Sequence, residues 1–512
     1  MKAVSVKQMR ELDRRTIEEF GTPGVVLMER AGIRAAEVII EWTSEFPSRH
    51  VKRFVFLAGK GNNGGDAYVA AKYIHERYGF PAVIYAVCPV KELQGDALCH
   101  ADLLPESVPV DVKETLHEDD FRDGDVIVDG LLGTGISGPL RAPYDHWIAV
   151  INKTGLPVAA LDMPSGMNGD TGNFETDCIM ADLTVTIGLP KYGLVSGSGP
   201  DYCGRLRLVE IGIPEKYIRE AESDQDIYFA PDTKDFLGRV PMQSYKNSVG
   251  RVLVCGGCDR YRGAPLLAAE SAMRGGAGMV YLLTAGRSGS QRVPKALISQ
   301  NSGTPNLDES AVPLMEQMAQ HVDVIVCGPG LDRQPGSDIF IQACGNTGQP
   351  VIYDADALAL ISQNISLLVN TGKSILTPHP GEMRMLIDGL GLEHLRNAGR
   401  SEQAAGLAEF TNSIVVLKGR NTVIADKRGH VVVNSSGSPA LSGAGSGDCL
   451  SGLIGAFVAS TKGRGDMFAA TCAAVFIHGL AGELNPCGVR GAVADDLPEL
   501  IAEAMLQVSP LA

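Results

Sequence analysis

The chain has 512 residues, more than the roughly 250–300 at which one hydrophobic core stops growing, so at least two domains are expected. The net charge of −15 disfavours a general nucleic-acid-binding protein, because such proteins need a basic surface to displace counterions from phosphates. Residues 1–15 lack the apolar core of a signal peptide, and no stretch reaches the ~20 uncharged residues of a membrane span. We therefore expect a soluble, cytoplasmic protein that binds neither nucleic acid nor membranes.

The first half of the chain alternates short apolar runs with helical patterns. The charged amphipathic stretch 6–30 is interrupted at Gly21–Gly24, which predicts two helices packed against a sheet. The pattern indicates an α/β domain of Rossmann-like, three-layer architecture with a mostly parallel sheet. The predicted buried strands are Arg53–Ala58, Ala82–Val87, Asp125–Asp129, Pro157–Asp162 and Asp182–Ile187.

A polar, acidic stretch around residues 214–226 interrupts the apolar pattern and predicts a domain boundary near residue 220. A second α/β series follows, so we predict domains at 1–220 and 221–512, the second also a three-layer α/β/α fold. Two long apolar helices are predicted near its end, at 447–460 and 467–484. The predicted strands are Arg251–Cys255, Met279–Thr284, Asp323–Cys327, Pro350–Asp354, Ser374–Thr377 and the pair Ile414–Leu417 and Thr422–Ala425.

The eleven cysteines are scattered and odd in number, which indicates a reducing compartment and not a disulfide framework. Cys255 and Cys258 have the spacing of a redox or metal-binding pair. No second pair and no nearby histidine completes a zinc site, so a glycine-rich turn after a buried strand is the preferred interpretation.

Two glycine-rich loops end in aspartate, at Gly61–Asp66 and Gly443–Asp448. Each stands where a helix is predicted to begin, so each offers free backbone N–H groups to a phosphate with an acid beside them. The first loop directly follows a strand, whereas the second follows a loop rich in Gly, Ser and Pro. This difference predicts two unlike sites and not one duplicated domain.

Two further loops of the first half, Asp129–Pro139 and Asp162–Gly166, also follow predicted strands. Because the carboxyl ends of parallel strands meet at one edge of a sheet, we expect the three loops to line one cleft. Oxygen atoms of Asn63, Asp129 and Ser165 suit a hard cation, since no His or Cys is among them. Asp162 or Asp66 is the candidate proton-transfer group, although each acid alone is more often a helix cap or turn former.

These loops, with Met9–Asp13 and Leu27–Gly32, resemble the NAD(P)HX epimerase domain family, which acts on hydrated NADH and NADPH. The resemblance implies a bound potassium ion, with Asn63, Asp129 and Ser165 as its ligands, and Asp162 as a catalytic residue. The implied substrate contacts are Asn62, Asn63, Gly64, Gly65, Asp66, Gly133, Thr134, Gly135, Ile136, Ser137, Gly138, Pro139 and Asp162.

In the second half, the residues Gly445–Asp448 at a helix start combine amides that stabilise an anion with a carboxylate able to take a proton from a hydroxyl. This combination suits transfer of a terminal phosphoryl group. Residues 418–422 lie in the predicted strand pair and are a candidate for holding nucleotide phosphates. The sequence contains no Walker A loop. His379 lies between two prolines with Glu382 three residues on, which favours ligand contact over a solvated surface histidine.

The Gly-x-Gly-Asp helix start resembles the ribokinase-like superfamily. With Gly263–Pro265, Arg274–Gly278, Gly328–Gly330, Thr377–Glu382 and Leu417–Gly419, the second half resembles the NAD(P)HX dehydratase family. The resemblance implies magnesium bound with ADP, and Asp448 as the catalytic base. It implies that Ala264, Gly330, His379 and Asp448 contact the hydrated nucleotide and that Lys418, Gly419, Arg420, Asn421, Thr422 and Gly447 contact ADP.

Together the resemblances imply a bifunctional repair enzyme, an isomerase and a lyase on one chain. It would interconvert the R and S epimers of NADHX and NADPHX and dehydrate the S epimer, converting ADP to AMP and phosphate. We also expect a homo-oligomer.

One alternative is a ribokinase-like vitamin kinase that uses ATP and is fused to a nucleotide-binding module. Another makes the N-terminal half a non-enzymatic binding module, against which the intact Gly61–Asp66 loop and Asp162 argue. No motif separates ADP from ATP or NADHX from NADPHX.

Overall fold

The computed structural model describes residues 1–510 except 47–50, 137, 224, 239–248, 287–293, 295, 370 and 463–464. The chain divides into two compact units, residues 1–227 and 228–512, so the division lies at residue 227 where the sequence predicted 220. Both units are α/β, with mostly parallel sheets. No helix in the described part of the chain is long and apolar enough to cross a membrane.

Unit 1 is built on a seven-stranded sheet in the order β3-β2-β1-β4-β5-β6-β7, with every neighbouring pair parallel. Its strands are β1 (Arg53–Ala58), β2 (Ala82–Ala86), β3 (Val110–Val112), β4 (Asp125–Gly130), β5 (Val158–Leu161), β6 (Leu183–Ile187) and β7 (Arg205–Val209). Its helices are α1 (Val6–Glu18), α2 (Gly24–Ser44), α3 (Asn62–Tyr73), α4 (Gly95–Ala101), α5 (Tyr144–Thr154), α6 (Gly199–Tyr202) and α7 (Glu215–Glu220).

The sheet of unit 1 is buried on both faces, because successive side chains of a strand point to opposite sides. In β1, Phe54 and Phe56 join one buried cluster with residues of α2 and α3, whereas Val55 and Leu57 join a second cluster with Trp147 of α5. Both faces are therefore apolar, which explains why the central strands appear in the sequence as continuous hydrophobic runs.

Unit 2 carries a ten-stranded sheet in the order β11-β10-β9-β12-β13-β14-β15-β16-β17-β8. The pairs from β11 to β15 are parallel, and β16 is antiparallel to both β15 and β17. The strands are β8 (Asp226–Tyr228), β9 (Arg251–Gly256), β10 (Met279–Thr284), β11 (Ile298–Asn301), β12 (Val324–Cys327), β13 (Val351–Tyr353), β14 (Ser374–Leu376), β15 (Ile414–Leu417), β16 (Val423–Ala425) and β17 (Val431–Asn434).

The helices of unit 2 include two that are almost wholly buried, α15 and α16, which pack with α9 and α18 against one face of the sheet. The helices are α8 (Ala230–Leu237), α9 (Ala264–Arg274), α10 (Val312–Ala319), α11 (Ser337–Asn346), α12 (Asp356–Gln363), α13 (Pro380–Gly389), α14 (Arg400–Thr411), α15 (Ser446–Ser460), α16 (Met467–Glu483), α17 (Gly488–Gly491) and α18 (Leu497–Val508).

Each sheet has a point where the strand order reverses. In unit 1 the chain runs outward from β1 to β3 and returns to β4 on the other side of β1, and in unit 2 it does the same from β9 to β11 and back to β12. Ligands of open α/β sheets bind beyond the carboxyl ends of strands at such a reversal. The fold therefore places one candidate cleft in each unit.

Candidate functional sites

The first site is built around Asp129, near the carboxyl end of β4. Its side chain is fully buried. Oδ1 accepts hydrogen bonds from the Ser165 hydroxyl at 2.6 Å and the Leu131 amide at 3.1 Å, and Oδ2 accepts one from the Ser165 amide at 2.8 Å. Burial raises the pKa of Asp129 to about 6, against the opposing effect of these hydrogen bonds. Within the described residues no basic side chain forms an ion pair with this carboxylate.

Asn63, in the first turn of α3, joins the loop after β1 to the loops after β4 and β5. Its Nδ2 donates to the Leu132 carbonyl at 3.0 Å, and the Leu132 amide donates to the Ser165 hydroxyl at 2.9 Å. The Asn63 Oδ1 atom is buried and has no hydrogen-bond partner within the described structure. An unpaired buried acceptor is costly, so this oxygen marks a position where a ligand or cation is expected.

The second part of this site is a group of carboxyls around Lys191, at the ends of β5 and β6. Oδ1 of Asp162 accepts hydrogen bonds from the Lys191 ammonium and from the Ile187 amide at 3.2 Å. Burial, with the charges of Asp162 and Asp13 nearby, raises the pKa of Asp66 well above its usual range. Burial also raises the pKa of Asp13 to about 6. The structure therefore brings together Asp66 and Asp162, the two candidate proton-transfer groups from the sequence.

The paired glycines of the first loop are required by packing. A Cβ on Gly64 would collide with the Gly59 carbonyl oxygen, and one on Gly65 would collide with the sulfur of Met28. Only Gly61, which precedes α3, faces open space. The glycines thus allow α3 to start close to the sheet, and the open face of the loop lies at Gly61 and the exposed Asn62.

The loop after β4 borders Asn63. A Cβ on Gly133 would lie 3.4 Å from the Asn63 Cβ, and Arg10 of α1 donates to the Thr134 carbonyl at 3.5 Å. Ile136 is half-buried, whereas Gly135, Gly138 and Pro139 are exposed. Ser137, which the sequence also named as a substrate contact, lies outside the described residues.

The second site is built around Lys418, which directly follows β15. Its Nζ donates to Asp354 Oδ1 at 2.8 Å and lies 3.7 Å from Glu382 Oε2. The Thr377 hydroxyl donates to the same Asp354 oxygen at 2.8 Å. Burial lowers the pKa of Lys418, but Asp354 and Glu382 raise it further than burial lowers it, so the net shift is upward. The buried ammonium therefore stays charged.

Asp448 lies in the first turn of α15, which begins after Gly445 in a left-handed conformation with a φ of 93°. Burial, followed by the charge of Asp354, raises the pKa of Asp448 to about 7, while Lys418 opposes the shift. A Cβ on Gly447 would lie 3.3 Å from the Lys418 Nζ. The absence of a side chain at Gly447 therefore lets the ammonium approach the amides of the helix start, which no side chain caps.

His379 is held in place by its role at the start of α13. Its Nδ1 accepts hydrogen bonds from the Gly381 and Glu382 amides at 3.0 and 3.2 Å, and Glu382 in turn accepts from the His379 amide at 2.8 Å. Because Nδ1 is an acceptor, Nε2 carries the proton of the neutral ring. The ring is 57% exposed, so this N–H remains accessible beside Glu382 Oε1 at 3.5 Å.

The remaining predicted residues of unit 2 lie in two places. Gly330 and Ala264 are adjacent, since a Cβ on Gly330 would lie 3.3 Å from the Ala264 Cβ. The turn 418–422 is held by Arg400 of α14, whose guanidinium donates to the Arg420 carbonyl and, at 3.1–3.4 Å, to those of Leu417, Lys418 and Asn421; these carbonyls all belong to the end of β15 and the turn. Within this turn, Lys418 lies next to the helix start, since a Cβ on Gly447 would lie 3.3 Å from its Nζ.

Sequence reasoning missed four residues that the structure places in the two sites: Asp13, Lys191, Asp354 and Arg400. One feature of the sequence could have indicated Lys191: it is a single charged residue between the apolar segments 187–190 and 192–195. The sequence marks Asp354 only as the end of a predicted strand. Arg400 stands in an ordinary polar helix start, and nothing in the sequence marks its contacts with residues 417–421.

Neither site resembles a transition-metal centre. No group of three or more His, Cys, Asp or Glu side chains in the described ranges is arranged to hold a metal ion. Cys255 lies in β9 and is buried, and Cys258 accepts a hydrogen bond from the Tyr261 amide at 3.3 Å; both thiols are free. The amide, hydroxyl and carboxylate oxygens around Asp129 are of the kind that suits a hard cation.

Two family models match the chain, one in each unit. The model described as YjeF-related protein N-terminus matches residues 24–193, and the model described as NAD(P)H-hydrate dehydratase matches residues 252–502. The chain is also 32% identical to the bifunctional NAD(P)H-hydrate repair enzyme Nnr of Moorella thermoacetica, over 98% of this chain and 96% of the relative. It is 34% identical to the protein of the same name from Coxiella burnetii, over 96% of each chain.

One solved structure similar to unit 2 is the ADP/ATP-dependent NAD(P)H-hydrate dehydratase from Bacillus subtilis, co-crystallised with ATP and Mg²⁺. It is 25% identical to this chain, with a TM-score of 0.45, and the match covers 56% of this chain and 99% of that one.

Proposed function

The chain belongs to the family of bifunctional NAD(P)H-hydrate repair enzymes, and on that premise we propose how its two units divide the work. Unit 1 interconverts the R and S epimers of NADHX and NADPHX. Unit 2 dehydrates the S epimer, with ADP converted to AMP and phosphate. The observation that supports the dehydratase assignment most directly is the position of Asp448 beside Lys418 and the uncapped amides of α15.

In the dehydratase reaction, the hydroxyl on C6 of the nicotinamide ring is a poor leaving group. Asp448 takes the hydroxyl proton, and the oxygen attacks the terminal phosphorus of ADP, so that AMP departs. The C6–O bond then breaks with its electron pair on phosphate, a proton leaves C5, and the C5=C6 double bond forms. A pKa near 7 suits Asp448 to this task, since a general base works best with a pKa near the operating pH.

The phosphoryl group passes through a state in which negative charge is spread over its oxygens. Lys418 and the amides of residues 445–447 are the groups that would stabilise this charge. Magnesium would accompany ADP, because it binds chiefly to nucleotide phosphates and a few carboxylates. The donor set fits this, since Asp354, Glu382 and Asp448 surround the single ammonium of Lys418 and leave an excess of negative charge.

In the epimerase reaction, C6 carries both the hydroxyl and the ring nitrogen N1. The lone pair of N1 can form an N1=C6 double bond as the hydroxyl leaves as water, and water can then return to the opposite face. This requires one group that gives a proton to the departing oxygen and another that takes a proton from the arriving water. The carboxyls of Asp66 and Asp162 in unit 1 supply such groups.

The oxygens around Asp129 fit a potassium ion. The Asn63 Oδ1 atom is buried without a hydrogen-bond partner among the described residues, and Asn63 Nδ2 and the Ser165 hydroxyl both hydrogen-bond to Leu132. No basic side chain in the described structure pairs with Asp129. A bound potassium ion would neutralise Asp129 and fix the three loops at the cleft. Replacing potassium with choline should slow epimer exchange and leave dehydration unchanged, and exchange that persists at full rate without potassium would contradict the assignment.

One experiment tests the proposed function as a whole. The full chain is incubated with mixed R and S hydrates and with ADP, ATP or neither, and each epimer is followed separately by chromatography while the 340 nm absorbance of the reduced ring is recorded. We expect exchange of epimers without nucleotide, and recovery of NADH or NADPH with release of phosphate only when ADP is present. A stable phosphorylated product of a vitamin-like alcohol would instead indicate a kinase.

A further inference from the structure

Lys191 is a lysine buried at the carboxyl end of the sheet of unit 1, and the reaction proposed above assigns it no role. Its side chain is 1% exposed. Burying an ammonium is expensive unless it is paired and fully hydrogen-bonded. A charged group kept at this position therefore calls for an explanation in terms of its partners.

The partners of Lys191 occupy the whole ammonium group. Nζ donates to Asp162 Oδ1, to the Ile187 carbonyl at 3.0 Å and to the Thr186 hydroxyl at 3.4 Å. A lysine ammonium has three N–H donors, so all three are used within the protein. Lys191 is thus placed to support Asp162 and not to bind a ligand itself.

Asp162 is presented to the cleft through one oxygen only. Its backbone has a φ of 64°, a left-handed conformation that is uncommon outside glycine and occurs at functional sites. Oδ1 is held by Lys191 and the Ile187 amide, whereas Oδ2 accepts no hydrogen bond from the described residues. The side chain is 16% exposed, so the oxygen without a partner is the one available to a substrate.

The same end of the unit contains a second carboxyl from α1. The chain segment before α1 pairs with Lys191, since the Val4 amide donates to the Pro190 carbonyl at 2.9 Å and the Tyr192 amide donates to the Val4 carbonyl at 3.2 Å. This pairing sets α1 beside the Lys191 turn and places Asp13 within electrostatic range of Lys191, Asp162 and Asp66. A carboxyl of α1 therefore lies near the ion pair of Lys191 and Asp162.

From this geometry we propose that Lys191 is a positioning residue of the epimerase, which fixes Asp162 with one oxygen free for the substrate. The inference rests on the proposed epimerase activity of unit 1. Asp66 gives its proton to the C6 hydroxyl; the C6–O bond breaks with its pair on oxygen, water leaves, and N1=C6 forms.

Water then adds to the opposite face of the ring. A new C6–O bond forms, the π electrons of N1=C6 return to N1, and Asp162 takes the proton from the added water. The reverse reaction uses the same groups with their roles exchanged, so protons balance over a cycle in both directions. No other reactant is consumed, which agrees with a reaction that needs no nucleotide co-substrate.

The test uses the full chain, with epimer exchange measured without ADP and dehydration of the S epimer with ADP as an internal control. Lys191→Met removes the charge while keeping the length of the side chain. We expect it to lower kcat for exchange about 100-fold, the scale of a misplaced catalytic group, with KM changed less than about threefold. Lys191→Arg should recover part of kcat, and Lys216→Met, at a lysine that is 76% exposed, should behave as the parent chain.

A double variant tests whether Lys191 acts through Asp162. Asp162→Asn removes the carboxylate that Lys191 holds, and it is also combined with Lys191→Met. We expect exchange about 100-fold slower in Asp162→Asn and no further loss in the double variant, with dehydration unaffected in both. Thermal unfolding shows whether unit 1 stays folded, and if Lys191→Met unfolds, the kcat of Lys191→Arg relative to the parent chain decides the result.

The outcomes distinguish this inference from the function on which it rests. If the parent chain shows no exchange of epimers, the proposed function of unit 1 is wrong. If the parent exchanges epimers and the folded Lys191→Met variant does so within threefold of its kcat, only the role of Lys191 is wrong. A rise in KM at constant kcat would likewise exclude positioning of Asp162.

Discussion

Each unit places a lysine among carboxylates at the carboxyl ends of parallel strands, but the two lysines are bonded differently: Lys191 is 1% exposed and Lys418 is 17% exposed. All three N–H groups of Lys191 are used within unit 1, on Asp162, Thr186 and the Ile187 carbonyl. Lys418 donates to Asp354 at 2.8 Å, lies farther from Glu382 at 3.7 Å, and lies next to Gly447. Protein acceptors therefore occupy all three N–H donors of Lys191, whereas among the described residues Lys418 has N–H donors left for a ligand.

This difference matches what the two proposed reactions require. Epimer exchange moves protons and water and transfers no phosphoryl group. Lys191 therefore needs no contact with a phosphate, and its proposed role is to orient the Asp162 carboxylate. Phosphoryl transfer from ADP requires positive charge at the site where negative charge develops. A lysine beside an aspartate therefore orients the carboxylate in unit 1, whereas in unit 2 it binds the anionic phosphates.

The largest effect is expected at Asp448. Asp448→Asn removes the base but keeps the shape of the side chain at the start of α15, so dehydration should fall about 10³-fold, within the range for loss of a general base. Epimer exchange should not change, since Asp448 lies in unit 2. Phosphate release is measured with purified S epimer and ADP. Dehydration at more than a tenth of the parent rate would show that another group takes the proton.

A smaller loss, about 100-fold in kcat/KM for ADP, is expected for Lys418→Met, because the variant removes one charged contact to the phosphates. Lys418→Arg should not restore it, since the planar guanidinium is larger than an ammonium and Gly447 leaves little space for it. At Lys191, by contrast, the arginine variant should restore part of kcat. If both lysines respond alike to methionine and arginine, the distinction between support and ligand contact is wrong.

The sequence predicted the buried central strands because they are continuous apolar runs, and β1, β10 and β15 have the bounds that it indicated. It missed β3, β7, β8, β11 and β17. Of these, β3 and β11 are mostly exposed and β7 is half-buried with two arginines, so none of the three has the apolar run that marks a central strand. By contrast, β17 is a buried valine run, which the strand prediction overlooked. Short edge strands are defined by their neighbours, which a local pattern does not contain.

A similar limit applied to the sites. Asn63, Asp129, Asp162 and Asp448 were recognisable because each stands at a strand end or helix start among glycines. Lys191 and Asp354 act through partners 29 and 64 residues away, and such pairs exist only once the sheet has assembled. Local motifs thus indicated candidate site groups, but not the charged partners that hold them in place.

The glycines of the first loop offer a test in which packing, and not charge, is changed. Gly64→Ala places a Cβ against the Gly59 carbonyl oxygen, so α3 must shift from the sheet, at an expected cost of about 1–3 kcal/mol in the free energy of unfolding of unit 1. Epimer exchange should fall with it, because α3 carries Asn63 and Asp66. Gly61→Ala is the matched control, since its Cβ meets nothing within 4 Å and its φ of −98° suits alanine.

Chemical denaturation and epimer exchange are measured on both glycine variants. If Gly64→Ala has the same denaturation midpoint as the parent chain, the close contact between residues 59 and 64 does not stabilise the unit. If Gly61→Ala loses exchange while remaining stable, the open face of the loop contacts the substrate directly, as the sequence predicted for the neighbouring Asn62.

The smallest effect expected is the pH dependence of dehydration. Burial raises the pKa of Asp448 to about 7, and the ionised form is the one that takes a proton. The rate therefore rises with pH up to the pKa and is constant above it: kcat/KM for the S epimer should be about tenfold below its plateau at pH 6. Rates are measured from pH 5.5 to 8.5 at saturating ADP, with circular dichroism at each pH to confirm folding.

The residual rate of Asp448→Asn should lack this inflection, because its amide does not titrate. An unchanged inflection in that variant would assign the titrating group elsewhere, and Glu382, whose pKa burial also raises, would be the next to replace.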